Sequence, residues 1–216
     1  MAFTYFFRDR QTLDLIVQHA LPDLKRRRYI NVWDAGCAMG PEPYSIAIIF
    51  RENMGPFLFR NVRIYASDID ESNRFGVIIA CGLYPEEQVK RIPSELLSRY
   101  FSPNGEEGPS TGPSPSSGGT SGQSYFRISD EIRKAVTFQR HDLLSLKPIR
   151  EEFGLVVCKN VLLHLPHEGR VEVIKMFHHA LSQGGYFVTE QTQKLPPKTE
   201  HLFRQVTNAG QLFQKV

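Results

Sequence analysis

Apolar residues in this chain gather in short unbroken runs, separated by stretches in which they recur at helical spacing. Ile30, Val32 and Trp33, closed by Asp34, read as a strand buried on both faces. Similar runs predict strands at 61–66, 135–140 and 154–158, with a fifth at 186–189. Between them, Leu13, Ile16, Val17, His19, Ala20 and Leu24 mark a helix, and Tyr44 to Phe50 a second, strongly apolar one. Further helices are expected at 71–80, at 93–101 with Ser94 near its cap, and at 168–181. The last repeats Val171, Ile174, Phe177 and Leu181 and stops at Gly184-Gly185. Segments 201–207 and 211–216 flank Asn208-Ala209-Gly210 and predict a closing hairpin. Strands alternating with helices predict an α/β fold with a doubly wound parallel sheet.

The stretch 103–124 breaks this pattern with dense Gly, Ser and Pro. It buries too little apolar surface to offset ordering, and reads as a flexible surface insertion within one domain spanning 1–216. At 216 residues the chain is long enough for a sizeable core, and 41% hydrophobic with 23% charged residues is an ordinary globular balance. No apolar run approaches the ~18 residues of a membrane span. Arg8, Asp9 and Arg10 interrupt any leader-like apolar segment at the start. Three cysteines, Cys37, Cys81 and Cys158, lack metal spacing and imply a reduced, cytoplasmic setting; no metal site is expected. A net charge of +3 is too small to argue for nucleic acid. Lys25-Arg26-Arg27-Arg28 is a local basic cluster, either a solvated helix end or a contact for an acidic partner.

The chemistry concentrates where the first strand ends. Asp34-Ala35-Gly36-Cys37-Ala38-Met39-Gly40 has two glycines four apart and passes through Pro41 into the apolar helix. Such a turn lets backbone approach a ligand closely, and the helix start offers N–H groups and a partial positive charge. The spacing fits a dinucleotide site poorly. The second strand ends in Ser67-Asp68-Ile69-Asp70, an acidic terminus of the kind that grips ribose hydroxyls in doubly wound folds. Asp70 is better placed to cap the following helix.

Gly36-Cys37-Ala38-Met39-Gly40-Pro41-Glu42-Pro43-Tyr44-Ser45 resembles the S-adenosylmethionine loop of the CheR-type chemotaxis receptor glutamate methyltransferases, which typically reads Gly-Cys-Ser-Thr-Gly-Glu-Glu-Pro-Tyr-Ser; seven of ten positions match. Thr4-Tyr5-Phe6-Phe7-Arg8-Asp9 resembles the family's Thr-x-Phe-Phe-Arg-Asp/Glu segment, which lies over the cofactor. Cys158-Lys159-Asn160-Val161-Leu162-Leu163-His164-Leu165 is similar to its Cys-Arg-Asn-Val-Leu-Ile-Tyr-Phe. The resemblance implies the Rossmann-like sheet of class I methyltransferases and S-adenosyl-L-methionine as cofactor, with S-adenosyl-L-homocysteine as product. It implies a reduced β insertion, of which Tyr125 to Ser129 is a remnant strand, and a partner that is the cytoplasmic part of a chemoreceptor or similar signalling protein. Neither nucleic acid nor direct membrane insertion is expected. The family's N-terminal helical domain is expected to be absent.

By this resemblance the cofactor set is Thr4, Arg8, Gly36, Cys37, Ala38, Gly40, Glu42, Asp68, Asp142, Leu143 and Asn160, with Arg8 and His164 in the catalytic role. Several residues keep two readings. Glu42 either accepts from the cofactor's ammonium or steadies the first helical turn; Asn160 faces the adenosine or substrate, or fills a turn. Arg8 grips a substrate or cofactor carboxylate, or pairs with Asp9. Phe3, Phe6 and Phe7 cover the core. Asp142-Leu143 stands where the family has Asn-Leu, Pro41 replaces a glutamate, and His164 replaces the tyrosine near the transferring methyl. Those departures leave three functions open: glutamate methyl transfer, transfer to another protein or a small molecule, and a cofactor-binding signalling module without turnover.

Overall fold

The computed structural model describes residues 4–105 and 124–216; Phe3 and nearly all of the insertion predicted at 103–124 lie outside the described residues. Ten strands are described: β1 (Ile30–Ala35), β2 (Val62–Asp68), β3 (Leu83–Pro85), β4 (Phe101–Pro103), β5 (Tyr125–Ile128), β6 (Val136–Arg140), β7 (Phe153–Val157), β8 (Leu181–Val188), β9 (Phe203–Gln205) and β10 (Leu212–Lys215). Seven form one sheet in the order β6-β2-β1-β7-β8-β10-β9. The five from β6 to β8 are parallel, and β10 and β9 close the sheet as the predicted antiparallel hairpin. From β1 the chain winds outward through β2 to β6, then returns across β1 to β7. That reversal places a crevice at the carboxyl ends of the central strands.

Alternation along β1 builds two cores, because successive side chains point to opposite faces. Ile30 and Val32 pack with Ile46, Phe50 and Val157 on one face. Trp33 and Ala35 join Phe153, Phe177 and Phe187 on the other. Trp33 is fully buried, edge-on to Phe177 at 5.1 Å, and its Nε1–H donates to Ser67 Oγ at 2.8 Å, so the indole's polar atom is satisfied.

Three elements differ from expectation. The helix after β2 runs Phe75–Cys81, four residues later than predicted, because Asp70 accepts from Arg74 N–H and Phe75 N–H and holds 71–74 in the turn ahead of it. The helix His167–Ala180 passes straight into β8, and Gly184-Gly185 form a bulge within that strand instead of a stop: Leu181 pairs with Phe153, while Tyr186 already pairs with Leu155. The single strand expected at 125–129 is β5, the middle of a second antiparallel sheet in the order β3-β5-β4. At three residues each, β3 and β4 are too short to show a period.

This small sheet is fastened to the glycine turn. Tyr84 of β3 donates its hydroxyl to Met39 C=O at 2.9 Å, and Phe6 packs edge-on to Tyr84 and Phe101. Gly40 sits in the left-handed region (φ 102°), where an added Cβ would lie 2.6 Å from Tyr84 Oη and 2.7 Å from Ile79 Cγ1. Gly40→Ala should therefore cost about 2–5 kcal/mol, the left-handed penalty plus overpacking. Denaturant unfolding measures this, and a loss under 1 kcal/mol would show that the turn relaxes freely.

Candidate active site

The carboxyl ends of β1, β2, β6 and β7 open onto a cleft of about 590 Å³, the size of a small-molecule site. Eleven of the twelve residues singled out in the sequence line it: Thr4, Arg8, Gly36, Cys37, Ala38 and Glu42 from the first part of the chain, then Asp68, Asp142, Leu143, Asn160 and His164. Gly40 is the exception, turned away toward Tyr84 and Ile79.

The glycine turn is held by the end of β2. Gly36 N–H and Cys37 N–H both donate to Ser67 C=O, at 2.7 and 3.0 Å, and Ala38 N–H donates to Asp68 Oδ2 at 2.9 Å. Gly36 (φ 95°) passes so near Val161 that a Cβ would lie 2.1 Å from its Cγ2. These N–H groups of the turn are used inside the protein, so the turn itself offers little to a pyrophosphate. Asp68 Oδ1 accepts from Asp70 N–H at 3.2 Å. Each carboxylate oxygen thus has one backbone donor and a lone pair left over.

A charged cluster that sequence reading missed fills the floor. Lys159 has no exposed side-chain surface; its Nζ lies 2.9 Å from Glu42 Oε2 and 3.4 Å from Asp9 Oδ2, and it donates to Arg8 C=O at 3.5 Å. Burial alone would pull the ammonium's pKa down, but the Glu42 charge and hydrogen bond, with Asp9, outweigh it and raise the pKa. Behind them Asp34 is wholly buried, and neither of its oxygens meets a donor among the described residues. Burial first, then the charge and hydrogen bonding of Glu42, lift its carboxyl well above the ordinary range. A neutral Asp34 can donate to Glu42, which leaves Glu42 and Asp9 as the two negative charges around Lys159 instead of three.

The N-terminal segment is drawn onto this floor. Phe7 N–H donates to Ser45 Oγ at 2.8 Å, and Ser45 donates on to Pro41 C=O at 2.6 Å. Phe6 and Phe7 are buried, as expected of them. Phe7 and Asp9 both adopt φ near +55°, an unfavourable region for such residues that the anchors at Ser45 and Lys159 maintain. Arg8 Nη2 donates to Asn160 Oδ1 at 3.2 Å, whereas its approach to Asp9 is 4.0 Å. Asn160, itself left-handed, donates its N–H to buried Glu190 at 2.9 Å. Asp142 Oδ1 accepts from Leu144 N–H at 2.9 Å, capping the turn that seats Leu143. His164 is exposed at the mouth, at the end of the turn Leu162–His164. Burial pushes the Cys37 and Cys158 thiols up, which makes neither a nucleophile.

A family model described as CheR methyltransferase, SAM binding domain, matches residues 2–211. The chain belongs to this CheR family. Similar curated proteins include a chemotaxis protein methyltransferase of Listeria innocua, 30% identical over 89% of this chain and 65% of its own length. Chemotaxis protein methyltransferase 2 of Pseudomonas aeruginosa is 30% identical over 94% of this chain and 66% of its own. A probable chemotaxis protein methyltransferase of Rhizobium etli is 23% identical over 93% and 70%. The chain thus spans about two thirds of the length of these relatives. The CheR domain binds S-adenosylmethionine, and the cleft suits that molecule chemically: it has acidic groups for an ammonium, free carboxylate lone pairs for hydroxyls, and a turn whose anion-binding donors are already used.

The Asp34 carboxyl gives a signed test. The folded protein keeps this proton where the unfolded chain, with its value near 3.8, releases it. Asp34 therefore costs stability as pH rises from there through the raised folded value. Asp34→Asn keeps a donor toward Glu42 without that cost. The variant should gain on the wild type steadily in urea unfolding as pH rises above the unfolded value near 3.8, until the folded carboxyl itself ionises. A difference independent of pH would mean that Asp34 is charged in the folded state.

Proposed function

We propose that this CheR domain transfers the methyl group of S-adenosylmethionine to glutamate carboxylates of a chemoreceptor or similar signalling protein in the cytoplasm. The observation that carries the reading is Arg8, held at the cleft by Asn160 and by the anchored segment around it. When bound, the cofactor supplies an activated methyl on a sulfonium. A glutamate acceptor is already ionised near neutrality, so no general base is needed, and none of the buried thiols or acids has to supply one. What remains for the protein is alignment and electrostatics.

In this reading Asp68 holds the ribose hydroxyls, and Glu42, balanced by Lys159, receives the cofactor's ammonium. Asp142 and Leu143 edge the adenine, with Gly36, Cys37 and Ala38 as the wall beneath. Thr4 and Asn160 flank the reacting end. Arg8 orients the acceptor carboxylate through its planar guanidinium, and His164 takes the mouth position that is tyrosine in the family. Among the described residues no helix is long and apolar enough to cross a membrane.

Asp68→Ala should weaken S-adenosylhomocysteine binding by about 1–3 kcal/mol in calorimetry, the cost of unpaired hydroxyls in a confined site. Unchanged affinity with the fold intact would move the ribose role elsewhere. Arg8→Ala separates acceptor from cofactor. Methyl transfer to receptor fragments should fall at least tenfold while S-adenosylhomocysteine affinity changes little. An equal fall in both would place Arg8 on the cofactor, and a wild type that binds product yet transfers nothing would favour the signalling module.

A further inference from the structure

The end of the sheet opposite the cleft is basic where β1 and β2 enter it, with the exposed acids Asp23, Glu151 and Glu152 lying to its β7 side. The segment 24–33 that enters β1 and the segment 53–67 that enters and forms β2 contain no acidic residue. Besides Arg27, which donates to Ser182 Oγ and Gln183 C=O, they carry Lys25, Arg26, Arg28, Arg60 and Arg63, and none of the six makes an ion pair among the described residues; Arg26, Arg28, Arg60 and Arg63 are exposed. Arg10, Arg51, Arg99 and Arg133, by contrast, each pair with a carboxylate. The two entry segments are neighbours, since Ile30 N–H donates to Asn61 C=O and Ile30 pairs with Val62.

Two rings stand in the same patch. Tyr29 is 60% exposed and Phe57 67%. Arg28 lies over Tyr29 at 5.2 Å, and Arg60 over Phe57 at 4.0 Å. Phe57 reaches solvent because Gly55 (φ 72°, ψ 170°) and Pro56 break the helix Pro41–Phe59 just before it. Arginines beside exposed aromatic rings combine charge for anionic headgroups with an amphipathic tyrosine and an apolar phenylalanine, both suited to a water–lipid boundary.

We infer that this face docks peripherally on an anionic phospholipid surface, with Phe57 and Tyr29 entering the headgroup layer between Arg26, Arg28 and Arg60. The rings favour lipid over an acidic protein face, which would neutralise the guanidinium groups but give Phe57 no apolar phase to enter. Strand β2 separates patch from cleft by seven residues, roughly 20 Å, so a docked molecule keeps its cofactor cleft turned away from the surface and open. The inference does not depend on the acceptor proposed above.

Sedimentation with vesicles tests it. The chain should bind vesicles of phosphatidylcholine with about a third phosphatidylglycerol at least tenfold more tightly than pure phosphatidylcholine, and lose that preference at high salt. Neutralising each cation should weaken binding about fivefold, so Arg26→Gln, Arg28→Gln and Arg60→Gln together should weaken it about a hundredfold. Phe57→Ser should weaken it severalfold and leave the salt dependence alone. Unchanged S-adenosylhomocysteine affinity in each variant shows that the fold survives. Equal binding to both vesicle types, binding to neither, or a triple variant that binds like the wild type would overturn the inference. So would a wild type that binds polyglutamate or single-stranded oligonucleotide as tightly as the charged vesicles with Phe57→Ser indifferent, since the patch would then be a general polyanion contact.

Discussion

A lysine taken wholly out of water has to be paired, and the site is arranged around that requirement. Lys159 follows β7, a strand buried along its length, after one further buried residue, Cys158, so its ammonium is delivered to the interior by the backbone. Its partners come from far apart in sequence: Glu42 from the start of the central helix, Asp9 and Arg8 C=O from the N-terminal segment. Removing either carboxylate would leave a buried charge under-compensated, a penalty of several kcal/mol in comparable cases. One cation thus fixes the seam between three parts of the chain, and Arg8 takes its place at the cleft as a consequence.

The glycine turn follows a related economy. In dinucleotide folds the backbone donors at this place are left for phosphate. Here Ser67 C=O and the Asp68 carboxylate take them first. The turn is braced by the protein's own acceptors, and selectivity passes to side-chain carboxylates. That suits a cofactor bearing an ammonium and hydroxyls but no phosphate, and it separates this cleft from nucleotide sites on similar sheets.

The parallel strands were legible because each is an apolar run too short for a helix, and the residues that close β1 and β2 stood out as acids at strand ends. Asp68 and the Gly36 turn were found from order alone; Thr4, Arg8, Asn160 and His164 needed the family resemblance. Lys159 left no trace, since a lone lysine in sequence is usually solvated; the available hint was its position right after a fully apolar strand. Asp34 was noticed only as a strand end, because its chemistry arises from its complete burial and then from Glu42, eight residues away, folding back on it. The starts of helices and the short strands β3 and β4 were hidden for a simpler reason: local caps and cross-strand partners decide them, not periodicity.

Tyr84 carries a further implication for how this architecture can be rebuilt. Its hydroxyl ends on Met39 C=O, its ring meets Phe6 and Tyr44, and only a glycine at position 40 leaves it room. The small sheet is therefore keyed to the cofactor turn, not simply attached beside it. A chimera that grafts another small sheet onto this scaffold inherits a lock made of one hydroxyl and one missing methyl, and both halves have to be transplanted together.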